Sequence, residues 1–144
     1  RNFITGPRQT ALRPNEVLVA IHIPRNSGRG RSHFLKLGAR KHLVISIAMV
    51  AARVAVKDGV IAQAAVSVGA CSAVAVRLAE VEAALIGQPV KADTLSAISD
   101  PMVTMTLTPI DDIRSDADYR LTAAAELVRR TLWPLLTEDH KEAA

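Results

Sequence analysis

The sequence predicts an α+β domain in which an antiparallel sheet of three to four strands is packed on one side by about three helices. Apolar residues alternate with a period of two through the first half of the chain, whereas they recur at helical spacing in the second half. The chain has 144 residues, of which 49% are hydrophobic, and this length suits one hydrophobic core. Residues 1–144 are therefore expected to form a single domain.

The first strands are predicted from alternation and from the residues that end them. Residues 1–14 contain Gly6, Pro7 and Pro14 and are expected to form an extended or looped arm. A strand is predicted over residues 16–23, closed by Pro24, and a shorter one over residues 33–37. In the first of these, the residues expected on one face are Val17, Val19, Ile21 and Ile23.

A hairpin is predicted in the middle of the chain. Residues 44–56 are almost all small and apolar, which suits a strand that is covered on both faces. Asp58-Gly59 follows, and Asp-Gly between two β-branched runs favours a tight turn between antiparallel strands. The partner strand is expected over residues 60–69, with one face formed by Ala62, Ala64, Val66 and Val68.

Three helices are predicted after Cys71. The first carries Leu78, Val81 and Leu85 at helical spacing and ends before Gly87 and Pro89. A weaker helix is expected over residues 91–104, with Leu95 and Ile98 inward and a break at Pro101. The last helix has a capping-box pattern at Ser115 and Asp118 and an apolar stripe of Leu121, Ala124, Val128, Leu132 and Leu135.

Composition and charge exclude several classes of protein. The chain is too apolar to be disordered, and its most apolar run is shorter than the roughly 20 residues of a membrane-spanning helix. The single cysteine, Cys71, excludes an internal disulfide and fits a reducing, cytoplasmic location. No signal peptide is expected, and the start at Arg1 suggests a piece of a longer protein.

No motif for independent catalysis or metal binding is evident. His22, His33, His42 and His140 are not spaced like metal ligands. Cys71 follows a predicted strand and is expected to be a buried, inert thiol. The pair Asp111-Asp112 suits a turn better than acid–base catalysis. Gly28 and Gly30 lack the third glycine of a dinucleotide-binding loop, so neither catalytic residues nor metal ligands are assigned.

The charge distribution leaves several binding functions open. Residues 1–42 carry a net charge of +8, whereas residues 43–144 carry −4. Such a basic region suits nucleic acid, an acidic protein partner or an anionic cofactor. A small nucleic-acid or acidic-partner binding module is therefore one hypothesis, and a structural domain that self-associates through its sheet is another.

Several segments resemble one known family. They are residues 3–24 (FITGPRQTALRPNEVLVAIHIP), 34–40 (FLKLGAR), 44–50 (VISIAMV), 109–120 (PIDDIRSDADYR) and 127–132 (LVRRTL). In this order and spacing they resemble the C-terminal domain of the FAD-binding medium subunit of molybdenum hydroxylases, which include carbon monoxide dehydrogenase and xanthine dehydrogenase.

This resemblance implies a domain that packs against an N-terminal FAD-binding domain, which is absent from this chain, and completes the flavin site. It places Lys36 and Leu37 near the flavin ring and gives Arg40 a role in the adjoining loop. The implied partners are a molybdopterin large subunit and an iron–sulfur small subunit, with a possible homo-oligomer of the isolated domain and no nucleic acid. Electrons would pass from the molybdenum centre through FAD to an external acceptor. This chain alone is expected neither to hold FAD firmly nor to be active, and Arg129 and Arg130 are expected to face a partner or solvent.

Overall fold

The computed structural model describes residues 3–137. A small hairpin of β1 (Ile4–Gly6) and β2 (Gln9–Thr10) precedes the main sheet. That sheet contains β3 (Arg31–Leu37), β4 (Ala48–Lys57), β5 (Val60–Gly69) and β6 (Val76–Arg77), in this spatial order and with every neighbouring pair antiparallel. The predicted α+β class with a four-stranded antiparallel sheet is confirmed.

Three α-helices follow the sheet, as predicted. They are α1 (Ala79–Leu85), α2 (Asp100–Thr104) and α3 (Ala117–Thr137), and short 3-10 turns occupy Arg25–Gly28 and Ala92–Ala97. The helix expected over residues 91–104 is thus divided into a 3-10 turn and α2, because Pro101 lies in the first turn of α2, where its missing N–H has no intrahelical partner to lose. The cap of α3 is Asp116 rather than Ser115, since its carboxylate accepts a hydrogen bond from the backbone N–H of Tyr119 at 2.7 Å.

The turn between β4 and β5 has the geometry that its sequence predicts. Asp58 and Gly59 both have positive φ, 52° and 75°, as a two-residue primed turn requires. A bulge follows, because Ala55 pairs with Gln63 whereas Val56 pairs with Ile61. Ala62 is the extra residue and is exposed, so its predicted place on the apolar face is wrong and Ile61 is buried instead.

The two faces of the sheet differ in what covers them. Helices α1 and α3 pack on the inner face, and the core between them is aliphatic. On the outer face, Phe34, Ala51, Ser67 and Arg77 form one row across the four strands. Ala51 and Phe34 are exposed, so the expectation that residues 44–56 are covered on both faces is wrong for the described chain.

The predicted strand at residues 16–23 is also wrong. This segment is part of no sheet in the described chain, and Val17, Val19, Ile21 and Ile23 are 77–91% exposed. Alternation supplies one apolar face, but a strand also needs a neighbouring strand for its N–H and C=O groups.

Candidate functional site

The segment that the family resemblance singles out lies at one end of β3 and in the loop that joins β3 to β4. The base of this loop is closed by a hydrogen bond from the Ile47 N–H to the Leu37 carbonyl at 2.8 Å. Gly38 allows the loop to fold tightly, because a Cβ at this position would lie 2.6 Å from Cγ1 of Val44. At the tip, Leu43 has a left-handed backbone (φ 49°) and is 92% exposed. A strained residue displayed at a loop tip is typical of a binding surface.

Two cations tie this loop to itself. The Lys36 ammonium donates to the Val44 carbonyl at 2.5 Å, and the Arg40 guanidinium donates to the Leu43 carbonyl. Both side chains are exposed, and each keeps further N–H donors for a ligand. The structure therefore brings the side chains of Lys36 and Arg40 to the same loop.

Leu37 lies on the other side of the strand from Lys36. Successive side chains in a strand point to opposite faces, so Lys36 belongs to the outer face and Leu37 to the inner, half-buried face. The Leu37 carbonyl already accepts the Ile47 N–H. Leu37 consequently supports the loop from below, whereas Lys36 and Arg40 reach solvent.

Arg120 fixes the base of the same loop from the first turn of α3. Its side chain is only 3% exposed, and its guanidinium donates to the carbonyls of Ile47 at 2.7 Å and Ala70 at 3.1 Å. It also donates to the Asp112 carboxylate at 2.8 Å. We refer to Arg120, Asp112 and the two carbonyls as the Arg120 clamp. Because Ile47 also binds Leu37, the clamp connects α3 to the end of β3.

Sequence reasoning missed Arg120, although it left a signal. Arg120 lies four residues before Ala124, in register with the buried stripe of α3. A charged residue at an inward position requires a buried partner, and the acidic pair Asp111-Asp112 precedes the helix. Asp111 instead accepts the backbone N–H of Ala117 at 2.6 Å, so both carboxylates have structural contacts, as the turn interpretation implied.

The Asp112 carboxylate is held in its charged form. The Arg114 backbone N–H donates to it at 2.8 Å, and the side chains of Arg114 and Arg120 donate as well. The Arg114 N–H is the largest influence, and together these donors lower the pKa of Asp112 from 3.8 to about 2. The Asp112 carboxylate is therefore charged throughout the physiological pH range.

Cys71 is buried, as predicted, and lies beside the clamp. Its thiol is within 3.9 Å of the Ile47 carbonyl and 3.8 Å of the Arg120 carbonyl. Burial raises the pKa of Cys71, and this effect is only partly opposed by the positive charge of Arg120. A thiol with a raised pKa is a poor nucleophile, which agrees with a structural role.

Other charged groups also contact the chain itself. Arg130 is 68% exposed and faces solvent, as expected, while pairing with Glu126. Arg129 is 33% exposed and pairs with Asp100. No group of three or more potential metal ligands occurs among residues 3–137, and His140 lies outside that range. Within the same range, no helix is long and apolar enough to cross a membrane.

Two curated relatives match nearly the whole chain. The nicotine 6-hydroxylase medium subunit of Paenarthrobacter nicotinovorans is 29% identical over 132 residues, which are 91% of this chain and 45% of the relative. The xanthine dehydrogenase FAD-binding subunit of Escherichia coli O157:H7 is 26% identical over 132 residues, 90% of this chain and 44% of the relative. The chain thus spans less than half the length of these relatives.

Solved structures agree with these matches. Carbon monoxide dehydrogenase from Oligotropha carboxidovorans superimposes with a TM-score of 0.76 at 25% identity, covering 92% of this chain and 46% of the other. Quinoline 2-oxidoreductase from Pseudomonas putida 86 gives 0.75 at 27% identity, with 91% and 45% covered. Fold and sequence both place the chain among the flavoproteins of molybdenum hydroxylases. Residues 33–134 match the model of the CO dehydrogenase flavoprotein C-terminal domain, and the chain belongs to that family.

Proposed function

We propose that this chain is the C-terminal part of an FAD-containing subunit and that it completes the flavin site through Lys36, Leu37 and Arg40. The complete enzyme would pass electrons from a molybdenum centre through FAD to an external acceptor. The observation that carries this proposal is the match of residues 33–134 to the flavoprotein C-terminal domain, which includes the Lys36–Arg40 segment and its loop. The molybdopterin and iron–sulfur subunits are the proposed partners.

The residues of the loop fit an anionic, partly apolar cofactor such as FAD. Lys36 and Arg40 are exposed cations with unused donors, and Leu43 adds an exposed apolar group at the loop tip. A bound flavin accepts electrons, and its reduced ring carries negative charge. Lys36 would stabilise that charge, Arg40 would hold the loop in place, and Leu37 would support the loop backbone from the inner face.

This chain would supply only part of the enzyme that turns over substrate. The relatives that it matches are more than twice as long, so more than half of each lies outside the match. FAD would be held chiefly by that remainder, and this chain would supply one side of the site. On this basis the 144 residues alone are not expected to turn over substrate.

Lys36→Ala in the full-length flavin subunit tests the role of Lys36. Removing the cation should make the flavin potential more negative by about 20–30 mV, which for a two-electron couple corresponds to about 1 kcal/mol. Acceptor reduction should slow accordingly. Lys57→Ala is the matched control, because Lys57 is an exposed lysine at the opposite end of the sheet. The potential is measured by titration with redox dyes, and acceptor reduction by stopped flow.

Equal flavin potentials for Lys36→Ala and Lys57→Ala would remove Lys36 from the flavin site.

A binding titration with DNA, RNA and an acidic peptide at increasing salt tests the alternative function, a nucleic-acid or acidic-partner binding module. Tight binding with a steep salt dependence would favour a nucleic-acid or acidic-partner module over the flavoprotein role.

A further inference from the structure

The segment at residues 17–23 has the alternating sequence of a β-strand but no neighbouring strand in the described chain. We call it the arm strand. Val17, Val19, Ile21 and Ile23 lie on one face and are 80%, 91%, 77% and 78% exposed. Within the described chain, this segment pairs with no other strand. Four large aliphatic side chains in a row and an unpaired backbone edge both favour docking onto a sheet.

Between the arm strand and β3, the backbone of Gly30 packs tightly against the backbone of Val54 in β4. A Cβ on Gly30 would lie 2.2 Å from the Val54 carbonyl oxygen, and Gly30 has a φ of 93°. The neighbouring Arg29 carbonyl accepts a hydrogen bond from Arg53 at 2.5 Å. Residues 29–30 therefore fasten the chain to β4, and the arm strand lies before this attachment.

The β1–β2 hairpin pairs with no further strand of the described chain. Strands β1 and β2 contact each other but no other strand or helix of that chain. The turn between them approaches the domain, since Pro7 lines one cavity with Ile45, Ser46 and Arg120. The hairpin therefore lies beside the Arg120 clamp, and the arm strand is the piece that lacks a neighbour.

The sequence matches indicate where the neighbour lies. The match to the family begins at residue 33. The two relatives, however, match 90–91% of the chain. Most of the stretch before residue 33 is therefore shared with them. In those relatives, this stretch precedes the C-terminal domain. In a full-length subunit it would therefore join the C-terminal domain to the remaining, FAD-binding part.

We propose that the arm strand adds to the edge of a β-sheet in the FAD-binding part of the same polypeptide, with its Val17–Ile23 face on that part's apolar core. This inference rests on the proposed function, because it takes the covering sheet from the flavin subunit. Main-chain hydrogen bonds supply the affinity, and the four alternating aliphatic side chains set the register. The arm then fastens the two parts together on one side of Gly30, while the Lys36–Arg40 loop faces the flavin on the other.

A second copy of this chain is a poorer occupant. The longer edge strand of the main sheet is β3, and its outer face carries Lys36. The arm strand is followed by Arg25, whereas Glu16 before it pairs with Arg13. Bringing Arg25 close to Lys36 is unfavourable, since like charges across a strand pair destabilise it.

Hydrogen exchange tests the pairing directly. In the 144-residue chain, the amides of residues 17–23 should exchange at nearly the rate of an unstructured peptide. In the full-length flavin subunit, alternate amides of the same segment should be slowed at least ~100-fold, as in a strand within a folded domain. Fast exchange in a full-length subunit that binds FAD would overturn the inference and leave the proposed function standing. A full-length subunit without bound FAD would instead overturn the proposed function.

Matched variants test the apolar face. Val19→Asp with Ile21→Asp places two carboxylates on that face, whereas Ala20→Asp with His22→Asp places two on the opposite face. In the full-length subunit, the first pair should weaken FAD retention at least about tenfold, and the second should change it little. Equal effects of the two pairs would overturn the inference.

The occupant is tested by sedimentation of the 144-residue chain. The 144-residue chain is expected to be a monomer. Its melting temperature should not change with either pair of aspartate substitutions. A dimer in which residues 17–23 are protected from exchange would assign the arm strand to a second copy and overturn the inference. The exchange experiment on the unaltered protein does not depend on whether the aspartate variants fold.

Discussion

Residues 17–23 and 31–37 are both expected to form strands, but only the second segment does so in the described chain. The second segment is the less apolar of the two, with Arg31, His33 and Lys36 among its seven residues, yet it forms β3 and is alternately half-buried and exposed. The first contains four large aliphatic side chains on one face and pairs with nothing in the described chain. Alternation therefore determines which residues share a face, whereas the presence of β4 beside β3 determines that a strand forms.

The largest expected difference between the two regions is in the free energy of unfolding. Ile61 is fully buried on the inner face, and Ile61→Ala should lower the stability of the chain by about 2–5 kcal/mol through lost burial and a cavity. Ile21→Ala makes the same chemical change in the arm and should alter it by less than about 0.5 kcal/mol. Urea unfolding followed by circular dichroism measures both, and similar losses would mean that the arm packs on the domain in solution.

A smaller difference in the free energy of unfolding is expected between substitutions at Gly30, which contacts β4, and at Gly28, which precedes that contact. Gly30→Ala brings a methyl group against the Val54 carbonyl and keeps an unfavourable positive φ, so it should cost about 2–3 kcal/mol. Gly28→Ala meets nothing within 4 Å and should change stability by less than about 0.5 kcal/mol. Equal unfolding midpoints for the two variants would contradict the boundary at residues 29–30.

The smallest effect is a pH dependence within the domain. Because the pKa of Asp112 falls from 3.8 to about 2 on folding, its contribution to stability is complete above pH 4 and is lost as the pH falls towards 2. The stability difference between the native chain and Asp112→Asn should therefore shrink over this range. Asp58→Asn, in an exposed hairpin turn, serves as the control for removing one surface carboxylate. A difference that stays constant from pH 5 to 2 would contradict the assigned pKa.

Local signals predicted most of the domain. Asp58-Gly59 predicted the hairpin, and the spacing of Leu78, Val81 and Leu85 predicted α1, because each pattern is sufficient for its own local structure. The bulge that exposes Ala62 was not predicted, since it depends on the pairing of β4 with β5. The two-residue strand β6 likewise depends on its neighbour.

The candidate site was predicted less completely, because part of it depends on contacts between residues that are distant in the sequence. Lys36 at the end of β3 and Arg40 in the following loop are close in sequence, so the family resemblance could place them together. The Arg120 clamp joins Arg120 and Asp112 to Ile47 and Ala70, which lie far away in the chain, and no local pattern connects these two residues with α3. The arm strand shows the converse, because a clear local pattern predicted a strand whose neighbour is not in the described chain.

The long sequence separations within the Arg120 clamp also have a kinetic consequence. Its hydrogen bonds span 73 residues to Ile47 and 50 to Ala70, whereas the β4–β5 turn closes locally. Contacts between distant residues require a costly loop closure, so the hairpin should form before the clamp. Loss of the clamp would then accelerate unfolding and leave the folding rate nearly unchanged. The same contacts that hold the base of the Lys36–Arg40 loop would thus set how long the domain stays folded.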